Sequence, residues 1–173
     1  MLVCPGSPGV GHDRARVDGA VGQRRSCRRA AVWSYIAPVH VMEAARRWAD
    51  VWERAWPAKD VDGIVALYAE GVRYRALVLR EPELGIAGVR AYLQRTFGEE
   101  DSIECRFGEP VASGERAVVE WWASWTEAGD DVTMAGVTVL RFDADGMVVD
   151  HRDYWNQSDR RELPFDDWCL PTR

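Results

Sequence analysis

Trp48, Val51, Trp52, Ala55 and Trp56 recur at i, i+3, i+4, i+7 and i+8, the single stripe of an amphipathic helix that Pro57 must end. Asp60 stands where it can cap a second, shorter helix with a buried side of Ile64, Val65, Leu67 and Tyr68, and Gly71 marks the exit into a strand at about 72–78. Gly85 and Gly88 bracket the start of a third helix carrying Val89, Tyr92, Leu93 and Phe97. After Gly98 the period becomes alternating. Four strands are expected at about 102–110, 116–126, 132–142 and 147–157, separated by Ser113-Gly114, Ala128-Gly129-Asp130 and Asp145-Gly146. Three helices and an early strand followed by a meander predict an α+β domain, a curved antiparallel sheet wrapped on the N-terminal helices.

Turn chemistry sets an expected register for the last hairpin. With a four-residue loop over 143–146, Phe142 faces Met147, and the pairs Leu140/Val149, Thr138/His151, Gly136/Asp153 and Met134/Trp155 follow. This face is more apolar than the one holding Val148, Asp150, Arg152 and Tyr154, so it is expected to turn inward. His151 and Asp153 then point into the interior, and Gly136 leaves room beside the carboxylate.

Charge divides the chain of 173 residues. Residues 1–41 carry six arginines against Asp13 and Asp18, whereas the remainder has 16 basic and 26 acidic groups. With a formal charge of -6, the protein offers no overall field to hold nucleic acid or an anionic membrane, and neither is expected as a partner. The Gly/Pro-rich opening reads as a disordered or non-native extension with Met42 as the functional start. An export signal at Arg24-Arg25 and Arg28-Arg29 is the rival reading, weakened by Pro38 and His40 in the apolar run that follows. The expected domain is 42–157, with 158–173 a C-terminal tail and a cytoplasmic location. Cys4, Cys27, Cys105 and Cys169 form no C-x-x-C and no Cys/His cluster, so neither a disulfide framework nor a metal site is expected.

The segment Asp60-Val61-Asp62-Gly63-Ile64-Val65-Ala66-Leu67-Tyr68-Ala69 and the ending Val139-Leu140-Arg141-Phe142-Asp143 with Gly146 and Tyr154-Trp155 resemble the nuclear transport factor 2-like superfamily. Within it the SnoaL-like group, which includes polyketide cyclases and is related to ketosteroid isomerase, is most similar. The resemblance runs from about Ala44 to Asn156 and implies a cone-shaped fold, but the superfamily hosts many chemistries and non-catalytic binders. The isomerase pattern does not carry over. Its general-base aspartate falls near Ala76, its oxyanion-donating tyrosine near Trp52 and its protonated aspartate at Thr138, none of which has the required group.

Other inward residues must therefore supply any chemistry. His151 and Asp153 form the leading pair, a carboxylate that can orient an imidazole and keep it charged; the alternative is a satisfied core histidine beside a salt-bridged aspartate. Glu120 is the third catalytic candidate. Alternation places Val119, Trp121, Ala123 and Trp125 on the more apolar face, whereas the isomerase pattern sends Glu120, Trp122 and Ser124 inward, and the inward glutamate is the reading adopted. Trp52, Trp56, Tyr74, Trp122, Met134, Thr138 and Trp155 are expected to line a binding pocket. Arg73, Arg75 and Arg80 are read as solvated or paired with the acidic surplus.

The expected function is a cofactor-independent acid-base enzyme of isomerase, dehydratase, cyclase or hydratase type acting on a small apolar, oxygenated substrate. The rival is a non-catalytic ligand-binding or dimerisation domain. A homodimer is expected through the convex face, with Val119, Val137, Val139 and Tyr154, joined by Trp121 and Trp125 if Glu120 points inward.

Overall fold

In the computed structural model the described residues are 38–168. The expected extension therefore lies almost wholly outside the described residues. Helix α1 (Pro38–Ala55) buries Ala45, Trp48, Trp52 and Ala55 along the stripe its sequence period marks. Gly63 N–H donates to Asp60 Oδ1 at 2.9 Å, the expected cap of α2 (Val61–Val65). This helix is shorter than its pattern suggests. Tyr68 instead opens β1 (Tyr68–Arg75), because the sheet captures the backbone: Val148 N–H donates to Leu67 O at 2.9 Å and Tyr68 pairs with Val148. After the short β2 (Glu83–Leu84), α3 (Gly85–Phe97) buries Val89, Leu93 and Phe97.

The remaining strands are β3 (Glu100–Phe107), β4 (Val111–Ser113), β5 (Arg116–Glu127), β6 (Asp130–Phe142) and β7 (Val148–Ser158). They form a curved, unclosed seven-stranded sheet of order β2-β1-β7-β6-β5-β3, with β4 also paired to β5. The strand expected at 102–110 is split at Gly108-Glu109-Pro110, where proline has no N–H for the ladder. The sheet is not wholly antiparallel: β1 runs parallel to β7. No hairpin constrains that pair, since α3 and the whole meander lie between its strands.

The last hairpin differs from the expected register by two residues. Leu140 pairs with His151, Thr138 with Asp153 and Gly136 with Trp155. Two features lengthen the connection. Asp143 Oδ1 accepts the N–H groups of Asp145 and Met147, while Asp143 N–H donates to Met147 O, and a bulge between Arg141 and Phe142 leaves Val149 extra. A slip of two preserves the face, so His151, Asp153 and Thr138 still point inward. The bulge also carries Val148 into the core, against the outward placement expected. Gly136 creates no gap. A Cβ there would collide with Tyr154 O and stand 2.7 Å from Trp155 Cβ, so glycine is required by the close approach of β7.

The β5–β6 hairpin settles the second ambiguity. Glu127 pairs with Asp130 around a two-residue turn whose central residues, Ala128 and Gly129, have φ of 51° and 95°. This register points Val119, Trp121, Ala123 and Trp125 inward and leaves Glu120 exposed. Trp122 lies on the outer face, where its indole donates to Glu162 O at 3.1 Å. Beyond β7 the chain returns across that face: Thr133 Oγ1 donates to Arg160 O at 2.8 Å and accepts from Glu162 N at 2.9 Å. Arg73, Arg75 and Arg152 surround the buried Asp150 carboxylate, the pairing expected of an acidic domain. Among the described residues no helix is long and apolar enough to cross a membrane.

Candidate functional site

Between α1, α3 and the concave face of the sheet lies a cavity of about 190 Å³. Trp52, Trp56, Tyr74, Met134, Thr138, Trp155, His151 and Asp153 line it as the sequence suggests; Glu120 and Trp122 do not. The β5 register, which turns their side chains outward, is the reason.

A chain of hydrogen bonds organises one wall. Trp48 and Trp52 donate their indole N–H groups to Tyr68 Oη at 3.3 and 3.2 Å. An indole can only donate, so the phenol spends both lone pairs accepting and has its single proton left to give. Its remaining partner is His151 Nδ1 at 3.0 Å. Burial pushes the Tyr68 phenol well above its ordinary range, opposed by the two indole bonds, so that proton stays in place. Nδ1 is thus an acceptor, and the imidazole carries its proton on Nε2, which donates to Asp153 Oδ1 at 2.9 Å. A second line converges on the same oxygen: Trp121 Nε1 donates to Thr138 Oγ1 at 2.9 Å, and Thr138 donates to Asp153 Oδ1 at 2.6 Å.

Both ring nitrogens of His151 are occupied, and its ring stacks on Tyr74 at 4.1 Å between centroids. The imidazole is only 1% exposed and, with both ring nitrogens in hydrogen bonds, has none free to meet a ligand. It positions its neighbour. Asp153 Oδ1 is held by two donors, whereas Oδ2 has no hydrogen-bond partner among the described residues and is not sealed from the cavity. A carboxylate oriented in this way, with one free oxygen in an aromatic chamber, can accept a proton or bind a donor.

The sequence of residues 45–151 matches the SnoaL-like domain. The chain belongs to that family. Comparison with curated proteins gives no match. Among solved structures the SnoaL-like domain is similar to the epoxide hydrolase/cyclase-like enzyme SalBIII, of pyran ring formation in polyether salinomycin, at 21% identity and a TM-score of 0.58 over 66% of this chain and 91% of that chain. An epoxide hydrolase of the LEH-like type from M. tuberculosis gives 19% identity and a TM-score of 0.55 over 68% and 84%. An NTF2-like protein of unknown function from Exiguobacterium gives 19% and 0.56 over 65% and 98%. At these identities the likeness establishes the fold.

Sequence reasoning missed a buried carboxyl group in the wall of this SnoaL-like cavity. Glu100 sits in the run Glu99-Glu100-Asp101, just ahead of the strand expected at about 102–110, yet it begins β3 and is 8% exposed. Its Oε2 accepts from Trp56 Nε1 at 2.8 Å. Burial raises the carboxyl to about 7 and nearby Glu127 adds to the rise, while the Trp56 bond opposes it. Below about pH 4.5 this group is neutral in both folded and unfolded chains; between there and pH 7 the unfolded chain ionises first, so stability falls as pH rises. Glu100→Gln is therefore expected to gain about 2 kcal/mol over wild type at pH 8, with a gap that narrows towards pH 4.5. Urea titrations of both proteins at the two pH values check it, and a pH-independent gap would contradict it. Tyr68, expected only on the buried side of the second helix, likewise joins the site through its hydrogen bonds to Trp48, Trp52 and His151. Cys105 is no nucleophile: burial pushes its thiol up to about 12, and the sulfur faces the carbonyl of Glu53 at 3.6 Å.

Proposed function

We propose that the SnoaL-like domain is a small-molecule enzyme that moves a proton without a cofactor, with Asp153 as the base and Thr138, His151 and Tyr68 positioning it. The supporting observation is the pair of donors on one Asp153 oxygen, with the other oxygen left to the cavity. The reaction class is isomerisation, dehydration, cyclisation or hydration of an apolar, oxygenated substrate. Aromatic walls supply affinity, and the carboxylate accepts a proton from the substrate or from a water held against it. The family and the fold shared with epoxide hydrolase/cyclase-like proteins support this reading. The experiment begins with compounds that quench the cavity indoles. A bound compound turned over by wild type and not by Asp153→Asn supports the proposal; equal turnover by the variant refutes it, because a mere binder tolerates loss of that charge.

A homodimer is part of the same proposal. Its face differs from the one first expected, since Val119, Trp121 and Trp125 are buried inside. What remains outside is Val118 and Tyr154, both more than a third exposed, with the partly covered Val137 and Val139 on the strand between them. Sedimentation equilibrium at micromolar concentration is expected to give twice the chain mass. A monomer at that concentration would reject the dimer and leave the cavity reading untouched.

A further inference from the structure

The cavity is unbalanced in charge. Glu99, Glu100, Glu127 and Asp153 line it, and among the described residues its lining contains no lysine or arginine. Most of the remaining wall is aromatic, with six indoles, two phenols and two phenyl rings. One corner concentrates both properties. The Trp56 ring lies 6.1 Å from Trp121 and 6.0 Å from Trp125, centre to centre. Trp56 Nε1 donates to Glu100 Oε2 at 2.8 Å, and Trp125 Nε1 donates to Glu127 Oε2 at 3.4 Å.

Glu100 and Glu127 are direct cross-strand partners, a like-charge pairing that weakens a sheet when nothing positive stands against it. Lys59 acts on this region, but its ammonium lies 3.5 Å from Asp101 and does not line the cavity. Although Glu100 is more than nine-tenths buried, its Oε1 has no hydrogen-bond partner among the described residues and is not sealed. A buried carboxylate oxygen left open to an aromatic chamber is half of an ion pair.

We infer that this corner binds an organic cation, an alkylammonium or quaternary ammonium group seated among Trp56, Trp121 and Trp125 with Glu100 and Glu127 as its counter-charges. Indole faces attract a cation that has shed its water, and the two carboxylates supply the compensating charge. The chemical class of the ligand is thereby narrowed to an apolar molecule bearing an amine. The inference rests on the cavity being a ligand site, as proposed above, but not on Asp153 acting as a base.

The groups that act on Glu100 are Trp56 and Lys59 in the turn after α1, Glu99 and Glu127, with Tyr74 and Tyr92 across the cavity. A cation that selects the ionised carboxyl must displace its proton, so affinity is expected to rise about tenfold between pH 6 and pH 8. The test compares phenyltrimethylammonium with its neutral isostere tert-butylbenzene and with benzoate, by quenching of cavity indoles and by calorimetry at pH 8. The cation should bind at least about tenfold tighter than the isostere. Benzoate should not compete. Glu100→Gln and Glu127→Gln, the latter at an exposed position, should each weaken the cation about fivefold or more and leave the isostere unchanged. Equal binding of isostere and cation, or cation affinity unchanged in both variants, would overturn the inference while leaving the pocket reading standing. Binding of none of the three probes would overturn both.

Discussion

Asp153→Asn is expected to lower turnover of any substrate of the cavity about 10²–10⁴-fold with little loss of folding stability. The asparagine carbonyl can still accept from Thr138 Oγ1 and His151 Nε2, so both donors keep a partner. What changes is the group facing the cavity. Where the aspartate offers a free anionic oxygen, the amide offers two N–H donors and no basic site. Turnover rate beside a thermal melt of the same preparation separates the effects: loss of rate with an intact melt supports a base, and loss of both marks a structural carboxylate. Thr138→Val removes one of the two donors and serves as the companion, with a smaller loss of rate and a shifted pH profile.

Gly136→Ala is expected to be the most destabilising single methyl addition in the sheet, at about 3 kcal/mol or a fall of roughly 10 °C in Tm. The new Cβ meets backbone on the neighbouring strand: the Tyr154 carbonyl, Trp155 Cα at 2.9 Å and Trp155 Cβ at 2.7 Å. No rotamer change relieves a contact with main chain, so β7 must move away from β6. The consequence reaches the cavity. Thr138 and Asp153 face each other across that strand pair two residues away, and their 2.6 Å hydrogen bond depends on its spacing. Thermal melts of Gly136→Ala and Gly114→Ala make the comparison, because Gly114 has nothing within 4 Å of an added Cβ and tests only its backbone conformation at φ 59°. A loss at Gly136 no larger than at Gly114 would show that the strands are not so tightly apposed.

The helices were legible because their apolar stripes follow a period that burial enforces, and the indole positions of α1 fall inside as the spacing requires. The inward direction of His151 and Asp153 was legible as well, even though the assumed register was wrong, because an error of two residues leaves side chains on the same face. Glu120 had no such protection. Its direction hung on one turn, and the residue alternation of Val119, Trp121, Ala123 and Trp125 was the better guide than the isomerase pattern laid over it. Val148 was misplaced because a bulge is a local backbone event that no periodicity announces. Tyr68 and Glu100 were invisible for another reason. Their roles depend on partners 83 and 44 residues distant, contacts that only the folded chain creates. The likeness to the SnoaL-like group was sound in family and fold and carried none of these partners with it.

The central claim is that a neutral imidazole, accepting at Nδ1 and donating at Nε2, fixes Asp153 with one oxygen free in the cavity. Nitrogen-15 NMR of selectively labelled His151 tests it without knowledge of any substrate, because protonated and unprotonated ring nitrogens resonate far apart. The expected result at neutral pH is an unprotonated, hydrogen-bonded Nδ1 and a protonated Nε2, with Nδ1 shifting in Tyr68→Phe and Nε2 shifting in Asp153→Asn. Two protonated nitrogens, or a proton on Nδ1 alone, would contradict the account, since Tyr68 would then have lost its acceptor and Asp153 its oriented partner.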